Sequence, residues 1–489
     1  MDNKLVYLIN AGNDEKYRRG VVHGTSFPPL GVVSLATAVK EYTSWKVKVF
    51  DGLVTEEKEI TESIIKDKPY VVGVSVLSTS YQSALRIAKI GKENGAIIIF
   101  GNDQAAITGK NMLRKRKEID YICTADIGEF CFVKFLQYLE GKISIEEVPK
   151  LMYRVYDYIR HNDLAELEGE NRFKILDQIP IPDRLLIPEE IRKKYLESYI
   201  SSYPDEGVTG TGTMNRFRGC SYLKNPCCYC GIIDLEIRAS SPEIFWEDIR
   251  AAREIGINRI FEAGDSVSSV PKYLKELLDS KPNNLSWNSF VYTSARETTV
   301  ELVRLYKELG VFRANMGLDS GDNIMLRRLK GKKDSVEQNA RAVKLLSNSG
   351  IKIYSSFVLG GPGENEESIK NTIEFTRWLI NNKLVDGTEA QPLFPQLNAE
   401  AGRMLLNPEY AIKKSNQEGW KIRNFSLLYE MPEKWSNHEN PDPEEISRDW
   451  ATIFSEISYE GLLEIAASIR KYSREKGVLT GSSWIVMED

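Results

Sequence analysis

No stretch of this chain is long and apolar enough to cross a membrane as a helix, and its first apolar run, residues 5–9, stops at Asn10. Five residues are too few for a signal-peptide core or a membrane span, so the start predicts a cytoplasmic protein with no membrane partner. Positive charge is not in excess either: 65 Lys and Arg stand against 70 Asp and Glu, a net charge of -5. The basic residues are scattered and form no stripe that could neutralise phosphates, so nucleic acid is not an expected partner. Cysteine is scarce, six in 489 residues, which excludes a disulfide scaffold. There is no internal repeat and no low-complexity tract.

What is present is the composition of a globular protein, with 42% apolar, 28% charged and 10% aromatic residues. The length predicts about two to four domains. Up to about residue 140, apolar runs at 5–9, 46–50, 70–76, 96–100 and 119–122 alternate with stretches of helical period, such as 30–42, 56–66, 81–94 and 129–139. That alternation predicts an α/β domain, residues 1–140, built on a doubly wound, Rossmann-like parallel sheet. Residues 141–205 break into charged and proline-containing pieces and read as a linker with some helix.

A second alternating series has expected strands at 212–217, 259–262, 287–293, 312–317, 352–359 and 389–394. Helical stretches at 242–254, 298–309, 335–349 and 366–381 separate them. Six such units over residues 206–400 predict a partial (β/α)6 barrel, with its chemistry at the carboxyl ends of the strands. Residues 401–489 are mainly helical. Trp420, Trp435, Trp450 and His438 stand there either as walls of a substrate cavity or as core, since aromatic residues at helical spacing serve both.

Four of the six cysteines fall in one loop after the first expected barrel strand, Cys220, Cys227, Cys228 and Cys230. Thiolates are the preferred ligands of iron-sulfur clusters, and three of them on a four-iron cube leave one iron open to a small molecule. A zinc ion held by all four thiols and inert packing are the alternatives, although adjacent Cys227 and Cys228 would strain tetrahedral ligation.

An ordered series of motifs follows the loop. Pro182-Asp183-Arg184-Leu185-Leu186 precedes it, Arg218-Gly219-Cys220 opens it, and aromatic Tyr229 stands before its last cysteine. Phe261-Glu262-Ala263-Gly264-Asp265-Ser266, Gly317-Leu318-Asp319-Ser320-Gly321 and Phe357-Val358-Leu359-Gly360-Gly361-Pro362-Gly363-Glu364 end three later strands. By these motifs residues 175–400 resemble the radical S-adenosylmethionine (SAM) superfamily, in the branch with an N-terminal cobalamin-binding domain.

The resemblance implies a [4Fe-4S] cluster on Cys220, Cys227 and Cys230, with Cys228 in place of Cys227 as the fallback. It places SAM against Tyr229, Gly264, Asp265, Ser266, Arg296, Asp319, Ser320, Leu359 and Gly360. Two departures stand out: the first cysteine gap is six residues instead of three, and Asp319 replaces the usual Glu.

Residues 1–140 resemble that branch's cobalamin domain. Pro29, Leu30 and Gly31 open the first helix, Ser75 and Leu77 end the third strand, and Gly101-Asn102 replaces a glycine pair that would make room for the nucleotide tail. No Asp-x-His-x-x-Gly motif is present, and His23 lacks that context, so histidine-ligated cobalt is not implied.

The implied activity is reductive cleavage of SAM to a 5′-deoxyadenosyl radical, then cobalamin-dependent methylation of an unactivated carbon in a small metabolite, natural-product intermediate or peptide. An electron donor such as flavodoxin or ferredoxin is implied as well. A cobalamin-independent radical rearrangement, cyclisation, epimerisation or sulfur insertion is the second reading, and a non-catalytic Fe-S or zinc regulator is the reading from another class.

Overall fold

The computed structural model describes residues 4–18, 27–167, 169, 173–204, 206–231, 236–331 and 333–480; His23 lies outside them. The chain divides into two compact units, one of 1–214, 238–258 and 438–441, the other of 215–237, 259–437 and 442–489.

In the first unit, strands β1 (Leu5–Asn10), β2 (Lys46–Asp51), β3 (Val71–Ser75), β4 (Ile97–Gly101) and β5 (Tyr121–Cys123) pair in parallel in the order β2-β1-β3-β4-β5. Period-two alternation divides β1 between two cores. Tyr7 and Ile9 pack with helices Glu57–Asp67, Tyr81–Glu93 and Asp103–Lys115, while Val6 and Leu8 pack with Gly31–Tyr42 and Gly128–Leu139. Helices on both faces explain why β1, β3 and β4 are apolar almost throughout, whereas β2 at the edge is half charged. Each fully buried Val, Leu or Ile contributes about 1.5–3 kcal/mol.

The expected linker is in part sheet. β6 (Leu151–Val155) and β7 (Tyr158–His161) form a hairpin that continues the sheet antiparallel from β5. β7 is largely exposed and lies at the edge, so it has no apolar run to announce it.

Strand order reverses between β1 and β3, and in doubly wound sheets ligands bind in the crevice at that switch point, outside the carboxyl ends. Here those ends are Asn10, Ser75 and Gly101. Helix Pro242–Glu254, capped by Ser241, belongs to the same unit, and its buried Asp248 pairs with buried Arg184 at 2.7 Å.

The chain then has three short strands, β8 (Thr211–Met214), β9 (Phe217–Arg218) and β10 (Arg238–Ala239). The sheet of the second unit contains β11 (Arg259–Glu262), β12 (Ser289–Thr293), β13 (Val311–Asp319), β14 (Lys352–Leu359), β15 (Gly387–Pro392) and β16 (Leu479–Thr480), each parallel to the next.

This order never reverses. Right-handed crossovers that step in one direction leave all their helices on one face, which is barrel topology. Burial agrees: along β15, Thr388 and Ala390 are fully buried whereas Glu389 and Gln391 are only partly so, and β11 and β12 alternate in the same way. The strand expected from residue 389 begins at Gly387, because Gly387 and Thr388 carry no apolar signal.

Candidate cluster and cofactor site

The cysteine loop leaves β9 through Gly219. Its φ of +92° is in the left-handed region, and a Cβ would stand 2.5 Å from the carbonyl oxygen of Glu236, so only glycine fits. The Gly219 amide donates to Asp265 Oδ2 at 2.7 Å, and the Ser221 amide to Ser269 Oγ at 2.9 Å. The segment after β11 therefore fixes the start of the loop. Arg296 donates to Ser221 Oγ at 3.2 Å and lies over the Tyr222 ring at 3.9 Å.

The end of the loop is fixed separately. Tyr229 donates to Asp319 Oδ1 at 2.8 Å, and Lys330 Nζ meets Asp319 Oδ2 at 2.8 Å and the Gly317 carbonyl at 2.7 Å. Asp319 has φ +59° at the irregularity where β13 pairs with β14, so its backbone turn aims the short carboxylate at both partners. Tyr222 donates to Asp334 Oδ1 at 2.5 Å.

Cys228 faces the core, 1% exposed among Met325, Leu329 and Met404, with its amide bonded to the Leu329 carbonyl at 2.8 Å. Cys220, Cys227 and Cys230 are partly exposed, and the Cys230 amide bonds to the Cys227 carbonyl at 2.9 Å. The three are near enough for each thiolate to feel the others.

Burial pushes the Cys220 thiol up to about 11, with Glu297 and Asp265 adding to it. Burial pushes Cys227 up to about 12 against the opposing charge of Lys330. A metal bound by these thiols would have to displace their protons. A three-thiol set with a cation beside it fits an anionic cluster. Among the described residues no three His, Cys, Asp or Glu side chains converge on a single ion, and a four-iron cube holds its thiolates farther apart than one ion does.

Other residues expected around SAM build the scaffold of this loop. Ser266 Oγ lies 2.9 Å from Ser268 Oγ, and buried Ser320 lies 3.0 Å from Thr372 Oγ1. Gly264 packs on β9, where a Cβ would stand 2.3 Å from the Phe217 carbonyl oxygen, and Leu359 is fully buried.

The amides of Gly360 and Gly361 donate to Glu364 Oε2 at 2.6 and 3.1 Å, and Trp450 Nε1 donates to the Gly360 carbonyl at 2.7 Å. Burial pushes Glu364 up to about 7 against those donors. Trp420, Trp435 and Trp450 are buried in one core cluster, so packing is their role. Sequence reasoning missed Lys330, which stands in a basic run, Arg327 to Lys330, that reads as a solvated face.

In the first unit, Asn102 Nδ2 donates to Ser75 Oγ at 2.9 Å across the carboxyl ends of β3 and β4, and Leu77 is 43% exposed beside them. A Cβ on Gly101 would meet nothing nearer than 3.9 Å. An open glycine, an exposed leucine and two hydroxyl and amide groups at the switch point fit a large planar cofactor with a polar edge. Pro29 and Leu30 line a small cleft with Pro28, Val33, Ile187 and Ile257, and Gly31 begins the helix Gly31–Tyr42.

The sequence matches the radical SAM superfamily over residues 214–376 and the B12 binding domain over residues 20–128. The chain thus carries a segment similar to radical SAM domains and another similar to B12 binding domains. An N-terminal B12 domain before a radical SAM domain is the arrangement of one branch of that superfamily, and the cofactors that these two domains take are a [4Fe-4S] cluster, SAM and cobalamin.

It is 25% identical to an uncharacterized methyltransferase of Pyrococcus horikoshii over 73% of this chain and 75% of that one. It is 22% identical to the cytidylyl-2-hydroxyethylphosphonate methyltransferase of Streptomyces wedmorensis over 70% and 71%. Among solved structures, the cobalamin-dependent radical enzyme OxsB superposes with TM-score 0.65 at 18% identity, over 86% of this chain but 62% of OxsB. The radical SAM methyltransferase TsrM from Kitasatospora setae superposes with TM-score 0.63 at 16% identity, over 83% and 78%. At such identity the superpositions establish the fold.

Proposed function

We propose that this chain is a cobalamin-dependent radical SAM methyltransferase that methylates an unactivated carbon of a small metabolite, natural-product intermediate or peptide. The observation that carries the reading is the cysteine loop: three thiols grouped at the carboxyl end of a barrel-type sheet, with the fourth turned into the core. A B12 binding domain in the same chain and relatives named as methyltransferases support methyl transfer over other radical outcomes.

In this reading Cys220, Cys227 and Cys230 ligate the cluster. Asp265 and Arg296 hold the start of the loop, and Asp319 and Lys330 its end. Ser75, Leu77, Gly101 and Asn102 meet the cobalamin. When bound, these groups supply a 5′-deoxyadenosyl radical and a methyl donor. The protein's part is to fix the cluster loop and keep a cation beside the anionic cluster. The reading also carries an electron donor such as flavodoxin or ferredoxin and a reducing, cytoplasmic setting.

The test is anaerobic reconstitution with iron, sulfide and hydroxocobalamin, followed by SAM and a strong reductant. Four irons per chain, stoichiometric cobalamin and 5′-deoxyadenosine lost in Cys230→Ala support the reading. Deoxyadenosine without bound cobalamin would overturn methyl transfer, and zinc with intact SAM would overturn the radical assignment.

A further inference from the structure

The helix-free face of the second sheet carries side chains that the cluster loop does not use. Phe261 and Phe290 stack with ring centroids 5.0 Å apart, and Tyr292 meets Phe261 edge-on at 5.6 Å. Tyr292 is 38% exposed, so this aromatic group is open to a ligand. On the same face Glu389 of β15 pairs in register with Ser356 of β14, and it is near enough to Tyr292 for its charge to act on that hydroxyl, which Asn315 hydrogen-bonds.

We propose that Glu389 and the Phe261, Phe290 and Tyr292 rings form a substrate-recognition site for a protonated amine carried on a planar or apolar body. The inference rests on the proposed function, whose substrate class it narrows.

Burial pushes Glu389 up to about 7, with Arg470 of helix Tyr459–Glu475 pulling the other way. An arriving cation offsets that desolvation by direct pairing. Ring faces attract the same charge, more strongly where they are desolvated. An anionic substrate would meet Glu389 with the wrong sign, and a neutral one would leave its carboxylate without a new partner.

The probes are 2-phenylethylamine, cationic at neutral pH, and its neutral isostere 2-phenylethanol, titrated calorimetrically into the anaerobically reconstituted holoenzyme with saturating SAM. The expected result is at least tenfold tighter binding of the amine, with that preference lost in Glu389→Gln. Equal binding of the two probes by the unsubstituted holoenzyme would overturn the inference whether or not the variant folds. So would an unchanged preference in a folded Glu389→Gln protein, or loss of amine binding when SAM is added, which would assign the face to SAM. Deoxyadenosine formation by the unsubstituted enzyme tests the radical reading separately, so the two can fail independently.

Discussion

At the scale of single residues, the four clustered thiols separate by what surrounds them. Cys228→Ala removes a sulfur from a packed core and leaves the loop intact. It is expected to cost about 1 kcal/mol, in line with ordinary point substitutions, with iron content unchanged. Cys227→Ala is expected to lose most of the iron. Iron and sulfide analysis of both reconstituted variants checks this, and the opposite pattern would make Cys228 the ligand.

Glu364 offers a second test at this scale. Its carboxyl is raised from the ordinary 4.5 to about 7, so the unfolded chain gives up this proton first as pH rises. Its contribution therefore falls from about pH 4.5 through about pH 7. Glu364→Gln keeps an acceptor for the Gly360 and Gly361 amides and is expected to flatten that fall, read as urea midpoints at about pH 5 and about pH 8. Glu364→Ala leaves both amides without their partner and is expected to cost about 1–3 kcal/mol for each.

At the scale of elements, Asn102 follows β4 and caps the helix Asp103–Lys115 with φ +77°, a conformation that favours glycine. Asn102→Gly relaxes that backbone and removes the side chain that spans to Ser75. Stability is expected to change by less than about 1 kcal/mol, while hydroxocobalamin binding, followed by equilibrium dialysis, tightens. Weaker binding would make the Asn102 amide a contact in its own right.

Elements also show where sequence reasoning reaches. The strands Arg259–Glu262 and Lys352–Leu359 and the helices Pro242–Glu254 and Glu366–Asn381 were legible because each buries a face of its own period. The β6–β7 hairpin was not, because an edge strand with polar faces has no such period. The grouping of the cysteine loop was legible because four of the six thiols fall between Cys220 and Cys230. The Tyr229–Asp319–Lys330 contact was not, because it depends on a left-handed residue at a strand irregularity that composition does not encode.

At the scale of the whole molecule, no helix among the described residues is long and apolar enough to cross a membrane. The first unit is not a contiguous N-terminal piece, since it takes in residues 238–258 and 438–441. A fragment of residues 1–214 would keep the parallel sheet but lose Asp248, the ion-pair partner of Arg184, and the helix that carries it. Loss of that pair and of the helix packing around it destabilises the fragment. The fragment is expected to be readily proteolysed and to melt broadly, whereas the whole chain is not. A cooperative melt of the fragment would show that the later segments are dispensable.

The segment His438–Pro441 sets a schedule for synthesis. Thr108 and Asn111 donate to the carbonyls of Glu439 and His438 at 2.6 and 3.1 Å, Arg116 pairs with the Glu439 carboxylate, and Asn440 donates to the Ser78 carbonyl at 3.1 Å. These partners leave the ribosome about 230 residues after Met214. At roughly 5–20 residues per second the nascent sheet waits on the order of 10 to 45 seconds for them. During that interval the helix Asp103–Lys115 has no Glu439 for Arg116, and the newborn chain is exposed to chaperones and proteases in a way the finished one is not.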